Sequence, residues 1–133
     1  MAINKNELRL GNYLMYQGLY PVYVDSIGDY GFTCRGDEVF PPDNFDIEPI
    51  PLTEELVLSH GFVKDDDVYV NHRIVIYKNR LLGTDEFDGF YCELQMRHPF
   101  ETNFVHLQYF HQLQNLYFML VGNELLIGEL EKI

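Results

Sequence analysis

Apolar and polar residues alternate along the first fifty positions of the chain, and turn-forming residues interrupt this alternation at short intervals. The turns are Gln17-Gly18, Gly28-Asp29 and Arg35-Gly36-Asp37. A period of two with tight turns is typical of short antiparallel strands. We therefore predict that residues 1–51 form a small SH3-like β-barrel, since closure removes the open edges of so short a sheet. The predicted strands span residues 8–16, 19–27, 30–34, 39–40 and 44–50.

The spacing of apolar residues changes after the prolines at positions 49 and 51. Thr53 is a favourable N-cap residue, and the two glutamates that follow it suit the positive end of a helix. Gly61 suits the position just past a helix C-terminus. These residues predict a helix of about two turns. Alternation returns after it, and a charged turn at residues 64–67 separates the first two of several short strands, which predicts an antiparallel meander.

Near the C-terminus, apolar residues recur at steps of three and four. This spacing predicts one long amphipathic helix over residues 103–121, ended by Gly122 and followed by a short apolar strand. The predicted fold class is α+β, with the barrel of residues 1–51 followed by a meander that packs against the long helix in residues 52–133, as two modules or as one unit. We expect Gln108 and most of Gln112 to be exposed. The residues expected to be buried are Phe104, Leu107, Phe110, Leu113 and Tyr117.

The composition indicates a globular and strongly acidic protein. Of 133 residues 47% are apolar, and 21 acidic residues against nine basic ones give a net charge of −12. Such a charge disfavours binding to nucleic-acid backbones or to anionic membranes. It favours solubility, a basic protein partner, or mimicry of a polyanion. Solubility alone is the simplest of these explanations.

Cys34 and Cys92 both lie among aromatic or small residues, as buried free thiols do, although the sequence does not exclude a disulfide between them. The first residues contain no apolar stretch of the kind found in export signals, and the apolar runs are short. We therefore expect the protein to work in the reducing cytosol.

No residue pattern in the chain predicts a metal ion, a cofactor or a catalytic group. His106 and His111 are five positions apart, so on a helix they would not share a face as zinc-binding histidines do. The run Asp65-Asp66-Asp67 lacks the spacing of a calcium loop, and a solvated turn explains it better. Neither serine of the chain lies in a hydrolase motif.

One polar cluster near the C-terminus permits two interpretations. On a helix, His111 and Asn115 are four positions apart, and Gln112 and Gln114 lie close to them. These side chains could hydrogen-bond loops that cover the helix, which the flanking apolar residues favour. They could instead form a polar binding surface, and its candidate residues would be His111, Gln112 and Asn115.

Three segments resemble a family of small proteins encoded in phages and mobile elements of gut bacteria. The most distinctive segment is residues 111–117, with sequence HQLQNLY, followed by Gly122-Asn123-Glu124-Leu125. The others are residues 49–62, which contain PIPLTEEL and HGF, and residues 6–12, NELRLGN. The resemblance implies a cytosolic protein of a bacterial host, and the family offers no assigned activity or catalytic residues.

These observations predict a non-enzymatic, acidic accessory protein of a phage or mobile element that acts through protein contacts. A first alternative is a polyanion mimic that inhibits a host nucleic-acid-binding protein. A second is a small enzyme with an unrecognised site between the barrel and the helix. We expect a protein partner, no direct nucleic-acid binding and no membrane association, and the oligomeric state stays open.

Overall fold

The computed structural model describes residues 7–29, 31–36, 46–71, 74–80, 87–95 and 102–125. Within these residues the chain forms two antiparallel sheets and two helices, which confirms the α+β fold class. The first sheet comes from the N-terminal part of the chain. The second sheet and both helices follow it in sequence, as the change of apolar spacing predicts.

The first sheet is curled like half of a barrel, but the structure does not show an SH3-like identity. Its strands lie in the order β3-β2-β1-β4. A register shift between Val24 and Ser26 on β2 interrupts the ladder to β3, and such a bulge bends a sheet. The strand predicted at residues 39–40 lies outside the described residues. The observed strands are β1 (Tyr13–Tyr16), β2 (Tyr20–Gly28), β3 (Gly31–Arg35) and β4 (Ile47–Glu48).

Helix α1 (Glu54–Ser59) lies between the two sheets in sequence and begins where predicted. The backbone N–H of Leu56 donates to Thr53 Oγ1 over 3.2 Å, so Thr53 is the N-cap. The second sheet is a five-stranded meander in sequence order, which confirms that prediction. Its strands are β5 (Val63–Asp65), β6 (Val68–Asn71), β7 (Ile74–Arg80), β8 (Phe87–Gln95) and β9 (Thr102–Leu107).

The predicted helix over residues 103–121 is wrong in its first third. Residues Thr102–Leu107 form strand β9, and helix α2 (Phe110–Val121) starts only after it. Phe104, Leu107 and Phe110 have helical spacing, but Val105 and Leu107 also alternate, and every residue of β9 pairs with β8. The apolar spacing of this segment fits both a helix and a strand, and pairing with β8 therefore determines that it is a strand.

Gly122 ends helix α2 as predicted, with a φ of +84° and its N–H donating to Phe118 O over 2.9 Å. The apolar strand predicted after it falls mostly on residues 126–133, outside the described residues.

Strand β1 contributes to two hydrophobic cores, because its successive side chains point to opposite faces. Leu14 packs in the core of the first sheet, whereas Met15 packs in the core between α2 and the second sheet.

The division into residues 1–51 and 52–133 stays a prediction. The burial predicted for Phe104 concerns a side chain that lies outside the described part of the structure. The other residues expected in the core are confirmed as buried: Leu107, Phe110, Leu113 and Tyr117.

Both cysteines are buried free thiols in the structure. Burial, with the negative charge of Asp25 nearby, raises the pKa of the Cys34 thiol to about 12, so this group stays protonated and unreactive near neutral pH. Within the described residues, no helix combines the length and the apolar character that crossing a membrane requires.

Candidate functional site

A polar network joins the segment before β1 to helix α2, and Arg9 is at its centre. Arg9 Nε donates to Asn115 Oδ1 over 2.9 Å, and its two terminal nitrogens donate to the Glu124 carboxylate over 2.6 and 3.2 Å. The guanidinium carbon lies 4.3 Å from the centre of the Phe118 ring, which adds a cation–π contact. The network therefore holds Arg9 against the outer side of α2 with its charge neutralised.

Amide side chains complete this network beneath Arg9. Asn12 is fully buried and its Nδ2 donates to Asn115 Oδ1 over 2.8 Å. Gln114 accepts the N–H of Tyr13 and donates to the carbonyl oxygen of Gly11. Asn115 Nδ2 also donates to Glu7 O over 2.8 Å. These bonds tie the backbone of Glu7, Gly11 and Tyr13 to side chains of α2, so they fix where the N-terminal segment lies on the helix.

The structure disperses the three candidate binding residues of the sequence analysis. Asn115 belongs to the Arg9 network. Gln112 is half-buried and its Oε1 accepts the N–H groups of Gln108 and Tyr109, which caps the start of α2. His111 is buried and stacks parallel to the Tyr109 ring. The polar binding surface stays a prediction, and its residues are at least partly engaged within the fold.

Two buried histidines retain unpaired ring nitrogens. In the described part of the chain, neither nitrogen of His111 nor Nε2 of His60 has a hydrogen-bond partner. Nδ1 of His60 lies 2.7 Å from the carbonyl oxygen of Leu56, so it must carry the proton of that bond. Burial lowers the pKa of both histidines, that of His111 to about 4. Both rings are therefore neutral near pH 7.

A second charged cluster joins α1 to the second sheet. The Glu54 carboxylate accepts the hydroxyl of buried Tyr69, and Lys78 Nζ lies 2.8 Å from Glu54 Oε2. Lys64 Nζ lies farther from the same oxygen, at 3.7 Å. The hydrogen bonds from Lys78 and Tyr69 lower the pKa of Glu54 to about 2, and the bond to Glu54 raises the pKa of Lys78. Both groups thus keep their charges across the physiological range, as a structural ion pair does.

The last turn of α2 exposes three consecutive apolar side chains. Phe118, Met119 and Leu120 are 40, 63 and 46% exposed. Leu120 is seven positions after Leu113 and so shares its helix face, yet Leu113 is completely buried. The helix therefore continues past the core that covers its first turns. We call the side chains of Phe118, Met119 and Leu120 the α2 patch.

Sequence reasoning missed Arg9 and the α2 patch. The arginines of the chain are dispersed in sequence, but Arg9 alone contacts both Asn115 and Phe118 on α2. The run Phe118-Met119-Leu120-Val121 was the available signal for the patch, because four consecutive apolar residues cannot all face the core from one helix.

Within the described residues, no group of three or more histidine, cysteine, aspartate or glutamate side chains is placed to hold a metal ion. Comparisons with protein-family models, with curated proteins and with solved structures find no match.

The Arg9 network leads to a prediction for Asn115. Replacement by alanine leaves the buried amide of Asn12 without its acceptor, so we expect the free energy of unfolding to fall by about 1–3 kcal/mol. Thermal or urea unfolding measures this change. Asn123→Ala is the matched control, since Asn123 is exposed directly after Gly122, and it should change stability by no more than about 0.5 kcal/mol. Equal effects of the two substitutions would contradict a structural role for the network.

Proposed function

We propose that this chain is a non-enzymatic, acidic accessory protein that acts through protein contacts, and that the α2 patch is its contact surface. The observation that supports this proposal is the run of three exposed apolar side chains on the last turn of α2. Soluble proteins rarely leave consecutive apolar residues exposed unless a partner covers them.

The composition around the patch supports the proposal. Aromatic residues, methionine and arginine are the residue types enriched in protein interfaces, and the last turn of α2 presents Phe118 and Met119 beside Arg9. The Arg9 network also holds the segment before β1 rigidly against the helix. A surface that is already ordered loses little conformational entropy when a partner binds.

The charged cluster at Glu54 supports a structural rather than a catalytic use of the second sheet. A general acid or base works best with a pKa near the working pH. The pKa of Glu54 is lowered to about 2 and that of Lys78 is raised, so both move away from neutrality. The neutral, buried His111 has no described partner that could pass it a proton.

The phage or mobile-element origin is part of the proposal and rests on the resemblance of the three segments. The Arg9 network gives two of these segments a shared physical role: Arg9 and Asn12 come from one of them, and Asn115 and Glu124 come from the other. In this proposal the distinctive motif stabilises the fold, and the neighbouring α2 patch binds the partner protein.

The experiment that tests the proposal compares partner capture by two matched variants. The immobilised full chain is incubated with a lysate of a gut bacterium at low and at high salt. We expect a captured protein that Met119→Ser loses and Val63→Ser retains, because Val63 is an exposed apolar residue on β5, at the edge of the second sheet opposite β9.

Two outcomes would overturn the proposal. Identical capture by all three chains would show that the α2 patch is not the contact surface. Capture of a salt-sensitive DNA-binding protein, independent of Met119, would favour the polyanion mimic instead, since its binding would depend on charge alone. Salt-resistant capture that only Met119→Ser abolishes is the result expected for a contact with an apolar centre.

A further inference from the structure

We infer that the partner of the α2 patch is a basic amphipathic protein segment, with apolar side chains against the patch and lysine or arginine side chains at its rim. This inference rests on the proposed function and adds the chemistry of the partner. It is drawn from the charges around the patch rather than from its apolar area.

The described charges nearest the patch, those of Arg9, Glu7 and Glu124, sum to a negative value. Within the described ranges 7–29 and 102–125, Arg9 is the only lysine or arginine, and its charge is neutralised by both carboxylate oxygens of Glu124. Glu7 is exposed, and its backbone carbonyl is bonded to Asn115 on the same helix. Glu124 itself keeps about half of its side-chain surface exposed. The Arg9–Glu124 pair is neutral as a unit, so the exposed Glu7 leaves this side of α2 with a negative charge, and the net charge of −12 on the chain adds to it.

Charge argues against the other occupants of such a patch. A second copy of this chain, related by a two-fold axis, would bring the same rim against itself, and each copy has a net charge of −12. An anionic lipid surface or a nucleic acid would meet the same repulsion. A basic segment is the occupant whose charge complements both the rim and the whole chain, and complementary charge also speeds association.

The geometry of the patch favours a helix or an extended segment over a deep insertion. Phe118, Met119 and Leu120 follow one another at steps of about 100° around the last turn of α2, so together they cover about 200° of its circumference and form a convex surface. A convex apolar surface fits against the apolar face of an amphipathic segment. Charged ends of the partner then reach Glu7 and Glu124.

The inference can be tested with two synthetic amphipathic peptides, one of leucine and lysine and one of leucine and glutamate with the same repeat. Each is titrated into the ¹⁵N-labelled full chain at physiological salt, and amide signals are followed by NMR. We expect the leucine–lysine peptide to shift the signals of Phe118, Met119 and Leu120. Met119→Ser should weaken this binding about tenfold, whereas Val63→Ser should stay within about twofold.

The remaining outcomes separate this inference from the proposed function. Equal binding of the leucine–glutamate peptide would overturn the basic partner but leave the contact surface in place. The leucine–lysine peptide could instead shift only the signals of the acidic turn at residues 65–67, with no effect of Met119→Ser, which would show diffuse charge attraction. That result would overturn the inference about the partner but not the proposed contact surface, because the lysate capture experiment tests the surface. Sedimentation could also detect a dimer that Met119→Ser dissociates. That result would identify a second copy of the chain as the occupant of the patch and would overturn the inference of a basic partner.

Discussion

Replacement of Phe110 by alanine is expected to lower the free energy of unfolding by about 3–5 kcal/mol. Phe110 is completely buried at the first position of α2, and its ring packs 4.7 Å from that of His60. Its N–H also donates to Ile50 O, so the same residue joins α2 to the segment before α1. Truncation leaves a cavity where several elements meet, and the backbone bonds around it prevent collapse.

Urea or thermal unfolding of the purified variant checks this value. Gln108→Ala is the matched control: Gln108 is exposed two residues before Phe110, and its substitution should cost no more than about 0.5 kcal/mol. Leu113→Ala, one turn further along the buried face, should cost about 2–5 kcal/mol. A Gln108→Ala variant as unstable as Phe110→Ala would show that the burial assigned to this part of the chain is wrong.

The second large effect is a loss of stability in mild acid that originates at His111. Burial lowers the pKa of His111 to about 4 in the folded chain, against 6.5 for an unperturbed histidine. His111 is the second residue of α2, at the positive end of that helix, which also disfavours a cation. Below pH 6.5 His111 binds a proton in the unfolded chain but not in the folded chain, so the free energy of unfolding falls as the pH is lowered.

The expected loss is about 3 kcal/mol, developing between pH 6.5 and pH 4 and levelling off below that. His60, whose pKa is also lowered by burial, adds to the loss in the same direction. Glu54 titrates later, because its folded pKa is about 2, and its contribution is lost only as the pH falls below 4.5. Urea unfolding at a series of pH values measures the profile.

His111→Leu removes the titrating ring while keeping an apolar side chain in its place. We expect this variant to lose most of the pH dependence between pH 6.5 and pH 4, whereas Gln108→Ala keeps the full dependence. A His111→Leu profile parallel to that of the unmodified chain would show that other groups cause the acid sensitivity.

Much of the fold could be predicted from the sequence because local signals agreed with tertiary structure. Turn residues such as Gln17-Gly18 and the N-cap Thr53 act locally, so their effects are readable along the chain. The boundary between β9 and α2 could not be predicted, because residues 104–107 satisfy both the helical and the strand period. Only the presence of β8 beside them decides between the two, and strand pairing is a long-range effect.

The candidate site was less predictable than the fold. The polar motif around Asn115 was identified, but its partner Arg9 lies more than a hundred positions earlier, and no spacing rule connects the two. The α2 patch depends on how far the core extends along α2. Leu113 and Leu120 look alike in sequence, and only packing separates the buried residue from the exposed one.

The contribution of β1 to both cores has a consequence for cooperativity. A strand that contributes to one core can detach without disturbing the other core. In β1, however, the adjacent residues Leu14 and Met15 pack into different cores on opposite faces of the strand. Neither sheet can then open at β1 without exposing apolar surface of the other, so partial unfolding incurs much of the free-energy cost of complete unfolding. We therefore expect the two sheets to unfold in one cooperative step, although most of the strand pairing within each is local in sequence.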